Sequence, residues 1–278
     1  MLTSNINILI ATLLGLLIGH FLNVIIHRLP IKMQEGWLND CADFLQINLT
    51  EPPYSELIEP LESANGCPYC KHTAQINFYS RMIRYVQSRG RCQSCHQTHF
   101  VRAPFIELLT AVCSAVVVYH FGETAQAIAA LLLTWALIVL CFIDIDQQLL
   151  PDNITLPLLW LGLLLSLFDL FTDSHSSLIG AAIGYGALWT VYQAFKLVTG
   201  REGMGYGDFK LLAAFGAWLG WQYLPAIILL SSLVGLLVGV FLMVFKKHAR
   251  HEPLPFGPYL ACAGWLVLMC GGDVLMLI

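Results

Sequence analysis

Long apolar stretches separated by short polar junctions make up most of this chain. The first stretch covers roughly residues 8–26 and is followed by a polar region, 27–102. Beyond that region, further apolar segments follow closely at about residues 104–121, 124–142, 153–170, 178–198, 209–222, 224–245 and 256–277. A bilayer span needs about 20 mostly apolar residues. The pattern therefore predicts an all-α polytopic membrane protein with about eight transmembrane helices.

This pattern divides the chain into three parts. We expect a first transmembrane helix over 1–26, a cytoplasmic loop domain over 27–103 and a seven-helix membrane core over 104–278. The first apolar run has no basic segment before it and no small-residue cleavage site after it, which indicates a retained span rather than a removed signal peptide. The net charge of −4 is too small to indicate nucleic acid as a partner; the lipid bilayer is the expected environment.

The basic residues are distributed asymmetrically along this pattern. If the N-terminus lies outside, all 14 Lys and Arg residues fall in or beside the inside loops, which are 27–103, 143–152, 199–208 and 246–255. Lys and Arg concentrate in the cytoplasmic loops of membrane proteins. The sequence therefore predicts that both termini lie outside and that these four loops face the cytoplasm.

Two Cys-x-x-Cys pairs lie in the first of these loops. Cys67 and Cys70 form one pair, Cys92 and Cys95 form the other, and 21 residues separate them. Two such turns present four thiolates to a tetrahedral zinc ion, and disulfides are disfavoured in a reducing cytoplasm. We expect a structural zinc in a small zinc-ribbon-like domain; a redox dithiol and a loop without metal remain as alternatives.

Acidic residues gather at the inner ends of two predicted spans. Asp144, Asp146 and Asp152 follow the 124–142 segment, and Asp208 precedes the 209–222 segment. Residues two apart on a helix point about 200° apart, so Asp144, nearer the apolar run, is the better candidate to face the bundle. Asp152 follows a proline and suits an N-cap position. Lys210 either pairs with one of these acids or extends to the interface.

The stretch Gly203-Met204-Gly205-Tyr206-Gly207-Asp208 has two interpretations. In the first, the glycines form a turn, with positive φ available to them, and Asp208 is an N-cap. In the second, Asp208 and Asp144 form a dyad in which one carboxylate acts as a general base on water and the other, protonated, polarises a carbonyl. His20 and Glu107 within predicted spans are either a proton relay or hydrogen-bonded bundle residues. The run 255–259 either breaks the chain before the last span or lines a site on the inner side.

Six ordered blocks of the chain resemble the bifunctional prepilin peptidases, which are the leader peptidases and N-methyltransferases of type IV pili and type II secretion. The paired Cys-x-x-Cys motifs are one block. The others are Phe21-Leu22-Asn23-Val24 leading to Arg28-Leu29-Pro30, Arg102-Ala103-Pro104-Phe105-Ile106-Glu107, Asp144 to Asp152, Gly203 to Lys210, and Pro255-Phe256-Gly257-Pro258-Tyr259. They occur in the family's order and cover nearly the whole chain.

The resemblance implies a GxGD-type aspartyl protease core with Asp144 and Asp208 as the catalytic pair. It implies cleavage of prepilin and pseudopilin leaders after a glycine, on the cytoplasmic side of a bacterial inner membrane. It also implies methylation of the new N-terminal residue, commonly Phe, with S-adenosylmethionine as donor, although the chain has no Rossmann-type glycine motif for that cofactor. Alternatives are a peptidase without methyltransferase activity and a proton-coupled transporter; the latter predicts acids near mid-span.

Overall fold

The computed structural model describes residues 2–45, 102–201, 203–245 and 255–271. Within these ranges the chain is helical and contains no strand, so the predicted all-α class is confirmed. The helices are α1 (Leu2–Leu45), α2 (Arg102–Phe121), α3 (Ala125–Gln147), α4 (Asp152–Leu165), α5 (Ser174–Thr199), α6 (Tyr206–Leu219), α7 (Leu224–Phe245) and α8 (Gly257–Cys270), with 3₁₀ turns at Ser166–Phe168 and Trp221–Tyr223.

Five of these helices are long and apolar enough to cross a membrane. They contain the segments Ile6–Leu45, Ala103–Phe121, Ala125–Gln147, Ser174–Thr199 and Trp221–Val244. Helices α4, α6 and α8 have 14 residues each, about 21 Å at 1.5 Å per residue. Each predicted apolar segment therefore has its helix, but the structure identifies five candidate spans in its described part rather than eight.

Helix α1 extends well beyond the expected first span. We expected a boundary between residues 26 and 27, but the helix continues through Pro30 to Leu45. Loss of apolar character ends a membrane span without ending a helix, and Lys32, Met33 and Glu35 all have high helix propensity. The predicted division at 26/27 therefore does not coincide with a break in secondary structure.

The described residues separate into two compact units, one within 2–115 and one within 116–271. The second unit is built around α6, in which every residue from Leu211 to Leu219 is buried. Helix α6 packs most extensively against α5 and α4, and also against α8. A helix that is apolar on all sides belongs in the centre of a bundle, so α6 provides a fixed base for the residues at its N-terminus.

Glycines allow α5 and α6 to approach at backbone distance. A Cβ atom on Gly216 would lie 2.1 Å from the carbonyl oxygen of Gly180, and one on Gly184 would lie 2.7 Å from that of Leu212. The Ser177 hydroxyl donates a 2.6 Å hydrogen bond to the Ala217 carbonyl in the same interface. Small residues spaced by four, with hydrogen bonds between helices, are a common way of packing helices in membranes.

We expect Gly216→Ala to lower the free energy of unfolding by about 1–3 kcal/mol, because the added methyl meets backbone that cannot move aside cheaply. Thermal unfolding of the purified protein in detergent measures this. The matched control is Gly186→Ala on α5, where a Cβ would have nothing within 4 Å. Equal melting temperatures for the two variants would contradict the expectation.

The opposite end of α6 is anchored to α4. The indole nitrogen of Trp218 donates a 2.8 Å hydrogen bond to the Leu158 carbonyl. A Cβ on Gly162 would lie only 2.5 Å from the Trp218 ring, so the indole fits against bare backbone there. Beyond Trp218, Gly220 adopts a φ of +90° and ends the helix. Helix α6 is thus held at both its middle and its C-terminal end.

Candidate active site

Three polar junctions of the second unit converge at one end of its bundle. The Gly257 N–H, at the start of α8, donates a 3.0 Å hydrogen bond to Oδ2 of Asp144 on α3. Lys210 of α6 forms an ion pair with Asp152 at the start of α4. The distribution of basic residues predicted that these loops share one side of the membrane. The fold places the three junctions at the same end of the bundle.

Asp144 lies in the last turn of α3 and is buried, with 5% of its surface exposed. Its own carbonyl accepts the hydrogen bond that closes the helix, donated by Gln148 in the left-handed conformation. Asp146 on the same helix is exposed. Helical spacing thus distinguishes the two acids as predicted: Asp144 faces the interior and Asp146 does not.

Asp208 lies at the third position of α6 and is also buried, with 7% of its surface exposed. The N-cap of this helix is Gly205, not Asp208 as the capping interpretation predicted. The Asp208 carboxylate instead lies near the backbone of Gly205, at the helix position that the acidic member of a capping box occupies. The Asp208 side chain therefore helps to start the helix from within its first turn.

The glycines beside Asp208 provide space rather than unusual backbone angles. Neither Gly205 nor Gly207 has a positive φ, so the conformational freedom available to glycine is not used there. A Cβ on Gly207 would lie 2.6 Å from the Cβ of Leu150, and one on Gly203 would lie 2.7 Å from the Phe195 ring. Among the described residues, the nearest atom to a Cβ on Gly205 would be Asp208 Oδ2, at 3.9 Å. The backbone at Gly205 is therefore open beside the carboxylate.

An aromatic cluster holds the first turn of α6 against α5. The ring centroids of Phe209 and Tyr192 are 5.7 Å apart, and those of Phe209 and Tyr206 are 5.4 Å apart. Tyr185 meets Phe209 edge-on at 5.8 Å. Such pairs contribute beyond their buried area, by about 0.5–1.5 kcal/mol each. They fix the turn that carries Asp208.

The carboxylates of Asp144 and Asp208 are close enough to interact electrostatically. The backbone neighbours of the two acids both pack near the buried side chain of Leu150. A Cβ on Gly257, the hydrogen-bond partner of Asp144, would lie 3.3 Å from Leu150 Cδ1, and a Cβ on Gly207, which precedes Asp208, would lie 2.6 Å from Leu150 Cβ. Two carboxyl groups in one poorly solvated site share a proton, so that one can accept a proton while the other donates one. The geometry suits hydrolysis by an activated water molecule.

The remaining acid of the block has a structural contact. Asp152 is the first residue of α4, whose N-cap is Pro151, so the predicted N-cap was wrong by one position. Lys210 Nζ donates hydrogen bonds to both carboxylate oxygens of Asp152, at 2.6 Å to Oδ1 and 2.8 Å to Oδ2. The pair ties α4 to α6 close to Asp208, and Lys210 pairs with an acid, as one of our alternatives predicted.

In the first unit, His20 and Glu107 meet. His20 Nδ1 lies 3.0 Å from Glu107 Oε1, and Glu107 is 1% exposed. Gly19 allows this approach, since a Cβ there would lie 2.8 Å from the Glu107 Cα. Asn23 donates to the Ala103 carbonyl nearby. These polar groups join α1 to α2, which agrees with the hydrogen-bonded bundle interpretation.

The predicted zinc ligands Cys67, Cys70, Cys92 and Cys95 lie outside the described residues. Within the described ranges, no group of three or more His, Cys, Asp or Glu residues is placed to hold a metal ion. Sequence reasoning gave too little weight to Gly257, whose N–H holds Asp144 across 113 positions of the chain. The available signal was the Pro-Phe-Gly-Pro run that starts α8.

Fold and site together define a class: multi-pass helical membrane proteins with two carboxylates buried at one end of the bundle. Residues 131–240 match the type IV leader peptidase family, and residues 13–121 match the bacterial peptidase A24 N-terminal domain. The chain belongs to the type IV leader peptidase family.

Relatives named prepilin leader peptidase/N-methyltransferase are similar over nearly their whole length. The protein of Stutzerimonas stutzeri is 48% identical, with 96% of this chain and 92% of the relative covered. That of Aeromonas hydrophila is 47% identical (94% and 90%), and that of Pseudomonas aeruginosa 48% (96% and 91%). No solved structure matches the chain at a significant level.

Proposed function

We infer that this protein removes the leader peptide of prepilins and N-methylates the new N-terminus. The observation that carries this inference is the pair of buried, interacting carboxylates. They occur in a chain that is similar over nearly its whole length to proteins named prepilin leader peptidase/N-methyltransferase. The transporter alternative has less support, because the two acids lie at the ends of their helices and not in the middle.

We propose that Asp144 and Asp208 perform the hydrolysis as a pair. The ionised carboxyl takes a proton from a water molecule while the oxygen of that water attacks the scissile carbonyl carbon. The protonated carboxyl donates a hydrogen bond to the carbonyl oxygen. When the tetrahedral intermediate collapses, the C–N bond breaks and a proton passes to the leaving amine. The burial of both acids limits competition from bulk water for these hydrogen bonds.

We propose that the site lies on the cytoplasmic side of the bacterial inner membrane, in an eight-span arrangement with both termini outside. The support is that the loop 199–208, which leads to Asp208, is flanked by the basic residues Lys196, Arg201 and Lys210, as cytoplasmic loops are. Prepilin and pseudopilin leaders, cut after a glycine, are the proposed substrates. The open backbone at Gly205 leaves room for an extended substrate segment beside Asp208.

We propose S-adenosylmethionine as the methyl donor, since N-methylation needs an electrophilic methyl group. The direct test of both activities is mass spectrometry of a purified prepilin after incubation with the purified protein. We expect a shortened pilin without the donor and a shortened, monomethylated pilin with it. An unmethylated product at saturating donor would favour a peptidase without the second activity, and uncut prepilin in both reactions would contradict the proposed function.

We propose that Cys67, Cys70, Cys92 and Cys95 hold a structural zinc. Four thiolates are a donor set that zinc binds tetrahedrally with no open position, so the ion would stabilise the loop and take no part in cleavage. Cys67→Ser is expected to lose most of the bound zinc, measured by elemental analysis of the purified protein. Cys41→Ser, outside the paired motifs, should keep it. Unchanged zinc in Cys67→Ser would exclude this ligand set.

A further inference from the structure

The N-terminus of α8 has one backbone donor to offer, and Asp144 takes it. The N-cap residue Phe256 provides no side-chain cap, and Pro258, the second helical residue, has no N–H. Tyr259, the third, already donates to the Phe256 carbonyl. Among the first three helical residues, only the Gly257 N–H is available to a group outside the helix, and it donates to Oδ2 of Asp144 at 3.0 Å in a buried setting.

The same position excludes any side chain. A Cβ on Gly257 would lie 2.6 Å from Asp144 Oδ2 and 3.1 Å from its Cγ. The Asp144 carboxylate thus occupies the space that a larger residue would fill, so contact with the bare backbone of α8 sets both its position and its rotation. Asp144 belongs to α3, so the group that positions its carboxylate comes from a different helix, α8.

We propose that Gly257 is a positioning residue for leader cleavage. Its N–H holds Oδ2 of Asp144, and its missing side chain allows the carboxylate to lie flat against α8, which leaves Oδ1 for the water and the scissile bond. The inference deepens the proposed function and rests on Asp144 being half of the dyad. It assigns the Pro-Phe-Gly-Pro run a role in catalysis besides starting a helix.

Gly257→Ala tests the steric part. Displacing a reacting group by about 1 Å can cost about 100-fold in rate, so we expect kcat for prepilin cleavage to fall about 100-fold with KM changed less than about threefold. Melting temperature in detergent and methylation of pilin supplied already processed should stay at wild-type levels. Gly186→Ala, where the added Cβ meets nothing within 4 Å, should cleave normally.

A backbone ester tests the donor without adding bulk. Replacing Gly257 by glycolic acid in cell-free synthesis into nanodiscs removes only the N–H, and a hydrogen bond to a charged group contributes enough for an expected loss of about tenfold or more in kcat. Wild-type kcat in both variants would overturn the proposal. So would a loss of cleavage accompanied by lower melting temperature, because Gly257 would then only start the helix.

Asp144→Asn, measured in parallel, separates this inference from the function it rests on. If that variant is inactive while both Gly257 variants cleave normally, only the positioning role fails. If Asp144→Asn itself cleaves at the wild-type rate, the dyad fails, and the inference fails with it for a different reason.

Discussion

Asp208→Asn is expected to reduce prepilin cleavage by at least about 10³-fold. The amide has nearly the shape of the carboxyl group but can neither accept a proton from water nor donate the dyad proton, and general acid–base catalysis contributes about 10²–10⁴-fold. The fold should persist, because the amide fills nearly the same volume as the carboxyl group in this buried position. Product formation from purified prepilin, followed by gel or mass spectrometry, measures the loss.

Asp144→Asn should match this loss, and the double variant should be little worse than either, since residues that act as a unit are not additive. Asp146→Asn is the control, because it makes the same chemical change on an exposed residue of α3. Methylation of pilin supplied already processed should survive in all of these variants. Substantial cleavage by Asp208→Asn would remove this residue from the proposed mechanism.

Gly207→Ala is expected to reduce kcat for prepilin cleavage by about 100-fold. The new methyl would lie 2.6 Å from the Cβ of Leu150. Leu150 is buried, and its Cβ is fixed to the backbone, so a change of rotamer cannot relieve this contact. The first turn of α6 must therefore move, and Asp208 is the next residue. A displacement of about 1 Å at a reacting group accounts for a loss of this size.

Gly203→Ala is the matched control in the same loop. Its methyl would also approach within 2.7 Å of a side chain, but that side chain is the Phe195 ring, which is 45% exposed and can swing outward. We expect less than about a threefold change in kcat. Equal losses in the two variants would mean that the loop tolerates no substitution and that the contact with Leu150 has no special part.

The positions of the helices could be predicted because apolar character is continuous along each membrane segment. Each of the eight apolar segments has a helix, and the choice of Asp144 over Asp146 follows from helical spacing alone. Where the prediction failed, hydrophobicity was a poor guide to the backbone. Helix α1 continues past Pro30 because good helix formers follow it, and α6 begins at Tyr206, three residues before its apolar run.

The contacts that complete the site could not be predicted in the same way. The bond from Gly257 to Asp144 joins residues 113 positions apart, and only tertiary packing brings α3 and α8 together. Likewise, the role of Gly207 depends on Leu150, which belongs to a different junction. The local sequence shows where these glycines lie beside the acids, but it does not reveal which distant residue leaves no space for a side chain at each position.

The shortness of α6 has a consequence for how water reaches the reaction. At 14 residues the helix is about 21 Å long, roughly 9 Å less than the hydrocarbon core of a typical bilayer. Neighbouring helices enclose it, so lipid tails are not available to fill the missing length. In the membrane orientation proposed above, the missing length at the cytoplasmic end would leave a hydrated recess over the first turn of α6, with Asp208 buried at its base. The water that hydrolyses the peptide bond would then reach the site through this recess, and the prepilin leader would enter the same recess to be cleaved.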